Sequence, residues 1–201
     1  IKENLSSVIT TQYVGELLDE VLKENEFLCT QIVEKYGNAS LTVVKLVLCS
    51  LLNEEVSIRN LIPILETISN EPKYERAKLQ ALVNKVRCAI IPDVIDSINE
   101  NNNDIKVLFF SQKLSDHMFD NLTETGEIVF EPVTRKLFSN ELSLKISEMI
   151  DQGFSPVVLC VEPLRYSVEI LLASLGISNI HVLSDMEMTA AIRKMNISLQ
   201  V

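Results

Sequence analysis

The sequence predicts a mixed α and β fold: an N-terminal helical bundle followed by a small α/β sandwich subdomain. Up to about residue 95, apolar residues recur three or four positions apart, as on one face of a helix. Beyond residue 104, short β-rich runs alternate with helical patterns. The polar stretch NENNND, residues 99–104, separates the two halves. We therefore expect a helical subdomain over residues 10–98, a linker over 99–104 and an α/β subdomain over 105–201.

Three helices are expected before residue 54. Thr10 or Thr11 can cap the first, because a threonine hydroxyl accepts a hydrogen bond from a free N–H group of the first turn. The second should end near Gly37 and Asn38, residues suited to a helix C-terminus. The third, residues 41–53, is apolar on nearly every side and is predicted to be the buried central helix. The apolar residues of the three helices are Val14, Leu17, Leu18, Val21 and Leu22; Phe27, Leu28, Ile32 and Val33; and Val43, Val44, Leu46, Val47, Leu48, Leu51 and Leu52.

Pro63 decides where the next helix, in VSIRNLIPILETIS, begins. A start at Ser57 would place the proline in the helix interior, where it removes a hydrogen bond and its ring clashes with the preceding turn. With Asn60 as the cap, Pro63 falls at the third helical position, where the backbone N–H lacks a helical partner in any case. We therefore predict a helix from Leu61 onwards. Its inward residues are expected to be Ile62, Leu65 and Ile68. A further helix is predicted over KLQALVNKVRCAII, with Leu79, Leu82, Val83, Val86 and Ile90 inward.

Five short β-rich runs follow the linker. Because strands that alternate with helices build parallel sheets, VVLCV and IHVLS are expected to be parallel neighbours joined by the helix between them. The runs are IKVLFF (105–110), EIVF (127–130), VVLCV (157–161), IHVLS (180–184) and NISLQV (196–201), and the helical patterns cover about 113–122, 134–152 and 163–175.

The composition argues against several functional classes. The 201 residues include 18 basic and 28 acidic side chains, a net charge of -10, and contain no basic run. That argues against a nucleic-acid-binding protein and against docking on anionic lipid, both of which need clustered Lys and Arg. No apolar run reaches the roughly 18 residues needed to cross a bilayer, so we expect no membrane insertion by this chain. Because Ile1 is not an initiator, we interpret the chain as part of a longer protein.

Residues capable of chemistry are few, and no set of them favours an enzyme. The four cysteines show no CxxC spacing, so we expect free thiols, no metal site and no cofactor. Cys160 and His181 fall in runs expected to be adjacent strands, and a Cys–His nucleophile pair in an α/β enzyme domain with a helical accessory domain is the alternative hypothesis. The turn VEPLR could hold an anion at the backbone N–H groups of a helix N-terminus, with help from Arg165. The simpler interpretation is that Pro163, which lacks one of these N–H groups, starts the helix.

Four segments occur in a characteristic order. The first is QYVGELLDEVLKE, which contains Gln12. The second is LLNEEVSIRNLIPILETIS, in which a helix ending in LL is followed by a V-S-I-R-N turn and then by ILE. The third is ALVNKVRCAI, and the fourth runs from PVVLCVEPLR to VLSDMEM. Together they cover about residues 9–190 and resemble the export-gate family of flagellar and virulence type III secretion systems. The family usually has a run of arginines in its C-terminal helix, and this chain has only Arg165 there. The motif residues expected to have structural roles are Val56, Ile58, Arg59, Asn60, Pro163 and Arg165.

The resemblance implies a role in protein export rather than catalysis. The chain would be the later part of the cytoplasmic region of an integral membrane protein, on the cytoplasmic face of the bacterial inner membrane, and residues 1–9 would be the tail of a preceding subdomain. In this family the cytoplasmic regions form a nonameric ring that receives export substrates and orders their secretion. The implied partners are further copies of the chain, chaperone–substrate complexes, the ATPase complex and the substrate-switch protein.

The resemblance also implies a docking site. In flagellar members, chaperones carrying late substrates dock in a hydrophobic dimple beside the first bundle helices. The dimple's aromatic position corresponds to Ile9 and its threonine to Thr42, or to Ser40 because the intervening loop is about two residues longer here. Ile9 would offer apolar contact and the hydroxyl would reach a partner's backbone. Alternatively, Thr42 is merely a helix-start residue and Ile9 packs against a preceding subdomain.

Overall fold

The computed structural model describes residues 9–71, 78–98, 104–178, 180–195 and 198–200. The chain divides into two compact units, Ile1–Ser97 and Ile98–Val201. Of the expected tail only Ile9, and of the expected linker only Asp104, lies within the described residues. The described part is mostly helical with a small parallel sheet, which confirms the prediction of a mixed α and β fold.

Six helices follow one another through the described part of the chain up to Ile98. They are α1 (Thr11–Glu24), α2 (Glu26–Tyr36), α3 (Ser40–Asn53), α4 (Leu61–Asn70), α5 (Leu79–Ala89) and α6 (Ile91–Ile98). The side-chain oxygen of Thr10 accepts a hydrogen bond from the backbone N–H of Tyr13 at 3.0 Å, so Thr10 rather than Thr11 caps α1. Gly37 follows α2 with φ +54°, a conformation that glycine adopts at little cost.

Helix α3 is the central helix of the first unit, as its all-round apolar sequence predicted. It contacts α1, α2 and α5. Since fully burying a leucine or valine contributes roughly 1.5–3 kcal/mol, this helix is a major source of the unit's stability. Its buried residues are Ser40, Val43, Val44, Val47, Leu48 and Leu51, and Leu46 and Leu52 are half-buried.

Helices α1 and α2 bury fewer of their apolar residues. Val14 and Val21 are buried in α1, Leu17 and Leu18 are half-buried, and the side chain of Leu22 lies outside the described part. In α2, Leu28 and Ile32 are buried, whereas Phe27 is 75% exposed and Val33 54% exposed. The hydroxyl of Tyr36 donates to the carbonyl of Ile68 at 3.1 Å and so connects α2 to α4.

The predicted effect of Pro63 on α4 is confirmed in its main point. The helix begins at Leu61, with Pro63 at its third position, where a missing N–H costs little. Asn60 occupies the cap position, but its side chain makes no capping hydrogen bond. The buried residues are Ile64, Leu65 and Ile68, and Ile62 is half-buried.

The segment predicted as one helix over KLQALVNKVRCAII ends earlier than expected. Ile90 terminates α5 and α6 begins at Ile91, with Pro92 in its first turn. Proline is favoured at that position because a backbone N–H, which proline lacks, would have no helical partner there. Proline also disfavours a helical conformation of the residue before it. Leu82, Val83, Val86 and Ile90 are buried as predicted, and Leu79 is half-buried.

The second unit combines four helices with five short parallel strands in its described part. The elements are β1 (Asp104–Lys106), β2 (Leu108–Phe109), α7 (Gln112–Asp120), α8 (Pro132–Asp151), β3 (Val157–Cys160), α9 (Arg165–Ser174), β4 (His181–Ser184), α10 (Asp185–Met195) and β5 (Ser198–Gln200). Strands β2, β3 and β4 form one sheet in that order, and β1 pairs with β5. The predicted parallel pairing of VVLCV with IHVLS is confirmed, with Val157 opposite His181 and Cys160 opposite Ser184.

Two expectations for this unit were wrong, and one helix was missed. The run IKVLFF is two strands separated by Val107, which places a single extended stretch beside both sheets. The run EIVF forms no strand: Ile128 makes one isolated bridge to Leu122, because a tight turn precedes it in which the Thr123 hydroxyl accepts from the Glu127 N–H at 3.0 Å. Helix α10 was not anticipated.

The core of the second unit lies between the sheet and the helices α7, α8 and α9. Its aromatic part contains Phe130 and Phe138, whose rings are 5.6 Å apart in an edge-to-face arrangement. The buried members of the core are Met118, Ile128, Phe130, Phe138, Leu142, Ile146, Val158, Cys160, Leu164, Val168, Leu171, Leu172 and Val182.

Replacing Leu51 by alanine should destabilise the protein. Leu51 is 0% exposed at the end of α3, so the truncation leaves a cavity and should lower the free energy of unfolding by about 2–5 kcal/mol. Val33→Ala, on the exposed side of α2, is the control and should change it by less than about 0.5 kcal/mol. Urea unfolding followed by circular dichroism measures both, and equal stability of the two variants would contradict the central position of α3.

Candidate functional site

The three residues implied as docking positions differ in exposure. Ile9 is 3% exposed and Ser40, the first residue of α3, is 6% exposed, so both are buried in the structure. Thr42, two residues further along α3, is exposed. Of the three, Thr42 is therefore the residue whose side chain can contact a partner directly, and the other two can act only by supporting the surface around it.

The V-S-I-R-N turn between α3 and α4 is closed by backbone contacts. Glu55 adopts φ +61°, a left-handed conformation in which non-glycine residues are uncommon. This allows the N–H of Val56 to donate to the carbonyl of Leu51 at 2.9 Å, which caps the C-terminus of α3. Val56 is buried and Ile58 half-buried, whereas Arg59 and Asn60 are exposed.

A buried ion pair holds this turn against α5. The Arg87 guanidinium donates to a carboxylate oxygen of Glu54 at 2.5 Å, and the two side chains are 4% and 8% exposed. Removing one member of such a pair leaves an uncompensated buried charge. The pair joins the LLNEEVSIRN and ALVNKVRCAI motifs. Sequence reasoning missed it because Glu54 and Arg87 are 33 positions apart.

The VEPLR turn after β3 is occupied by the protein itself. Pro163 lies in a single 3₁₀ turn, Glu162–Leu164, that leads into α9. A carboxylate oxygen of Asp185 accepts hydrogen bonds from the backbone N–H groups of Glu162 and Met186 at 2.8 and 3.0 Å. An internal carboxylate thus takes the place of an external anion, and Pro163 serves to start the helix.

Helix α10 begins with a reciprocal capping arrangement. The backbone N–H of Ser184 donates to the Glu187 carboxylate at 2.8 Å, and the N–H of Glu187 donates to the Ser184 hydroxyl at 3.1 Å. Ser-x-x-Glu is the sequence signature of this capping box, so the residues SDME could have predicted α10. Glu187 is fully buried, as is Arg165 at the start of α9, which makes an ion pair with Glu169 at 3.3 Å.

The structure does not bring Cys160 and His181 together. His181 lies opposite Val157, three residues before Cys160, which is a separation of about 10 Å along the strands. Residues three apart on a strand also point to opposite faces of the sheet. Burial raises the pKa of the Cys160 thiol to about 12, and nearby Glu187 and Asp185 add to the effect although Arg165 opposes it. A nucleophilic cysteine needs a lowered pKa, so the predicted alternative of a Cys–His pair was wrong.

His117 lies on the outer side of α7. Its ring stacks on that of Phe130 with 5.4 Å between centroids, and it borders an open depression of about 830 Å³ along α7, together with Asp116 and Asp120. Across the described residues, no three His, Cys, Asp or Glu side chains converge in a way that could hold a metal ion.

Helix α8 carries exposed apolar residues on the side opposite to the core. Its inner face buries Phe138, Leu142, Ile146 and Met149. On the outer face Val133 is 71% exposed, Leu137 58% and Leu144 60%. We call these three residues the outer stripe of α8. Because internal packing already uses the other face, the outer stripe has no role in this unit's core.

A model of the FHIPEP family, the export-gate family, matches residues 1–193 of the chain. The chain belongs to the FHIPEP family. Its similarity to the flagellar biosynthesis protein FlhA of Borreliella burgdorferi is 26% identity over 196 residues, covering 96% of the chain and 27% of that relative. For FlhA of Buchnera aphidicola subsp. Baizongia pistaciae, identity is 28% over 194 residues, covering 94% of the chain and 26% of that relative. The chain therefore spans about a quarter of the length of these relatives.

Several solved structures share the fold of the chain. The structure of the Shigella flexneri MxiA protein superposes with a TM-score of 0.81 at 20% identity and covers 100% of the chain and 63% of that structure. The nonameric EPEC SctV-C gives 0.79 at 20% identity, covering 100% and 58%. The CdsV and CdsO complex of Chlamydia pneumoniae gives 0.76 at 17% identity, covering 99% and 56%. The family resemblance inferred from the four sequence motifs is confirmed.

No helix in the described ranges is both long enough and apolar enough to cross a membrane.

Breaking the ion pair that joins two FHIPEP motifs should be costly. Arg87→Ala leaves the Glu54 charge buried, and we expect a loss of roughly 3–5 kcal/mol in the free energy of unfolding. Lys85→Ala, on the same helix, removes an exposed ion pair with Glu71 and is the matched control, with an expected loss of about 0–1 kcal/mol. Urea titration of both variants checks the difference. Similar losses would show that burial of the pair is not what holds the turn.

The raised pKa of Cys160 should make this thiol unreactive in the folded protein. A pKa of about 12 instead of 9.0 reduces the thiolate fraction at pH 8 about a thousandfold. Iodoacetamide labelling followed by peptide mass spectrometry should therefore modify Cys160 readily in urea and hardly at all in buffer. Rapid labelling of folded protein, absent in Cys160→Ala, would instead indicate an activated thiol.

Proposed function

We propose that the chain is a docking module of a type III protein export gate, in a cytoplasmic region that forms a ring and receives chaperone–substrate complexes. The observation that carries this proposal is the match of the family over residues 1–193. The order of secretion would follow from which complexes the ring binds. As a module of this kind the chain would need surfaces for protein contacts and no catalytic apparatus of its own.

Ring formation is proposed from the fold. The chain shares its fold over its full length with SctV-C, which is nonameric. We infer that nine copies assemble in the complete cytoplasmic region, which would lie at the cytoplasmic face of the bacterial inner membrane. Much of the contact area in such a ring would belong to parts that this chain does not include, since the chain covers 58% of SctV-C.

We also propose partners other than further copies of the chain, again from proteins that share its fold. CdsV forms a complex with CdsO, which supports the proposal that this chain too contacts a protein other than itself. We propose chaperone–substrate complexes as the principal partners, with the ATPase complex and the substrate-switch protein as further components that contact the gate.

The docking position that the geometry favours is the N-terminal turn of α3. Thr42 is exposed there and offers a hydroxyl, while Ser40 and Ile9 are buried. We propose that Thr42 contacts the chaperone–substrate complex and that the two buried residues hold the turn in place. This assigns contact to one of the three expected positions and support to the other two.

A charge at Thr42 should weaken docking without disturbing the fold. Since one contact at the centre of an interface is worth roughly 2 kcal/mol or more, Thr42→Asp in the complete cytoplasmic region should raise the Kd for a cognate chaperone–substrate complex about thirtyfold. Thr189→Asp, an equally exposed helical threonine on α10, is the matched control and should leave the Kd unchanged. Isothermal titration measures both. Unchanged affinity in Thr42→Asp would remove this turn from the docking site.

A further inference from the structure

The net charge of the second unit is concentrated in one short segment. Residues 98–201 contain 8 basic and 14 acidic side chains, a net charge of -6. Residues 114–134 contain five of these acidic side chains and no Lys or Arg, so 21 residues carry a charge of -5 and the rest of the unit carries -1. All five are exposed: Asp116, Asp120, Glu124, Glu127 and Glu131. Apart from this segment, the unit is therefore nearly neutral.

The fold gathers these five residues on one compact hairpin. Helix α7 carries the two aspartates, and the chain reverses after its end. The N–H of Val129 donates to the carbonyl of Asn121 at 3.0 Å, and Leu122 and Ile128 form an antiparallel bridge. The returning segment, which carries the three glutamates, therefore lies beside the end of α7. We call residues 116–131 the acidic hairpin.

The protein itself leaves the charge of the acidic hairpin uncompensated. Elsewhere in the unit, exposed Glu148 is paired with Lys145 at 2.8 Å. Among the described residues, none of the five carboxylates of the hairpin forms an ion pair, and Asp116 accepts a hydrogen bond from the neutral amide of Gln112 at 2.8 Å. Like charges gathered without partners repel one another, so binding of a cationic group would relieve that repulsion.

The nearest basic residues along the chain lie at the two ends of the hairpin. Lys113 precedes it in the first turn of α7. Arg135 follows it in α8, and its guanidinium donates to the carbonyl and hydroxyl oxygens of Ser174 at 2.9 and 3.1 Å. Between these two residues the sequence is acidic without interruption, so the hairpin presents one sign of charge to a partner.

The depression along α7 gives the hairpin a concave part. It has a volume of about 830 Å³, and Leu114, Asp116, His117 and Asp120 are among the residues that line it. Because Asp116 and Asp120 are four residues apart, they lie one turn apart on the same face of the helix. A long basic side chain joins an apolar stem to a charged end, which suits the half-buried Leu114 beside two carboxylates. Lys113 lines the N-terminal end of the depression and would direct a cation towards the aspartates.

We propose that the acidic hairpin docks a basic segment of a partner protein, with one Lys or Arg side chain in the depression beside Asp116 and Asp120 and further basic residues over Glu124, Glu127 and Glu131. The inference rests on the proposed docking function and adds to it a second surface, separate in the chain from α3, and a class of partner. Complementary charge would speed association and favour basic partners over acidic ones. The same charge repels the phosphates of nucleic acids and of anionic lipids.

The test uses an arginine-rich peptide and a neutral counterpart as probes. The first alternates arginine with glycine and serine. The second carries citrulline, which has the shape of arginine without its charge, at every arginine position. Fluorescence anisotropy with the full chain measures both affinities at low and at physiological salt. At low salt the arginine peptide should bind at least about tenfold more tightly, and its advantage should shrink as salt screens the charges.

Amide substitutions remove the charge of the hairpin and keep its shape. The hairpin variant combines Asp116→Asn, Asp120→Asn, Glu124→Gln and Glu127→Gln. It should weaken binding of the arginine peptide about tenfold or more, because four of the five opposite charges are removed. The dependence of its affinity on salt should also be smaller than that of the original chain. Circular dichroism checks that the variant keeps its helical content.

A control variant removes the same charge from exposed positions elsewhere. It combines Asp96→Asn, Asp151→Asn, Glu66→Gln and Glu141→Gln. Because the control variant and the hairpin variant have the same net charge, general attraction of a cation to an acidic protein affects them equally. The control variant should therefore change the affinity for the arginine peptide by less than about threefold.

Two results would overturn the proposal: equal binding of the arginine and citrulline peptides, or equal loss of affinity in the hairpin and control variants. The second would show that the peptide responds to the overall charge of the chain and not to this surface. Neither result depends on the titration at Thr42, which uses a chaperone–substrate complex and a residue of α3. Failure here would leave docking at α3 standing, and failure of the Thr42 experiment would leave the peptide result unaffected.

Discussion

Polar groups at buried helix ends must find partners, and both units of this protein meet that requirement with neighbouring residues and with groups from other parts of the chain. Glu54, at the C-terminus of α3, pairs with Arg87 of α5, and the left-handed Glu55 lets Val56 close the last turn. In the second unit, Asp185 accepts from the turn before α9 while Glu187 and Ser184 cap α10. An unpaired buried group would cost about 1–3 kcal/mol at each place.

The sequence was informative where the signal was local. The burial of α3 follows from its composition, the start of α4 from Pro63, and the pairing of β3 with β4 from the alternation of strand and helix patterns. Each of these depends on residues no more than 24 positions apart. The family resemblance likewise came from short motifs in a fixed order.

Most of the errors arise from contacts between distant residues; helix α10 is the exception, because its Ser-x-x-Glu signature is local. EIVF has strand-forming residues, but among the residues that the structure describes its strand pairing is limited to the bridge from Ile128 to Leu122. The Glu54–Arg87 pair and the burial of Ile9 and Ser40 depend on how helices pack, which periodicity does not reveal. The separation of Cys160 from His181 depends on strand register, and a shift of one residue reverses the face on which a side chain lies.

The pairing of β1 with β5 has a consequence for how the second unit is made. These strands are the first and last described strands of the unit, and their residues lie side by side from Asp104 opposite Ser198 to Lys106 opposite Gln200. During synthesis, β1 leaves the ribosome long before its partner exists, so its edge is exposed until the final strand arrives. Such non-local parallel pairings fold slowly, and open strand edges invite pairing with other chains. Crowded nascent copies of the chain would be particularly exposed to that hazard, and rapid pairing of β5 with β1 would protect them from it.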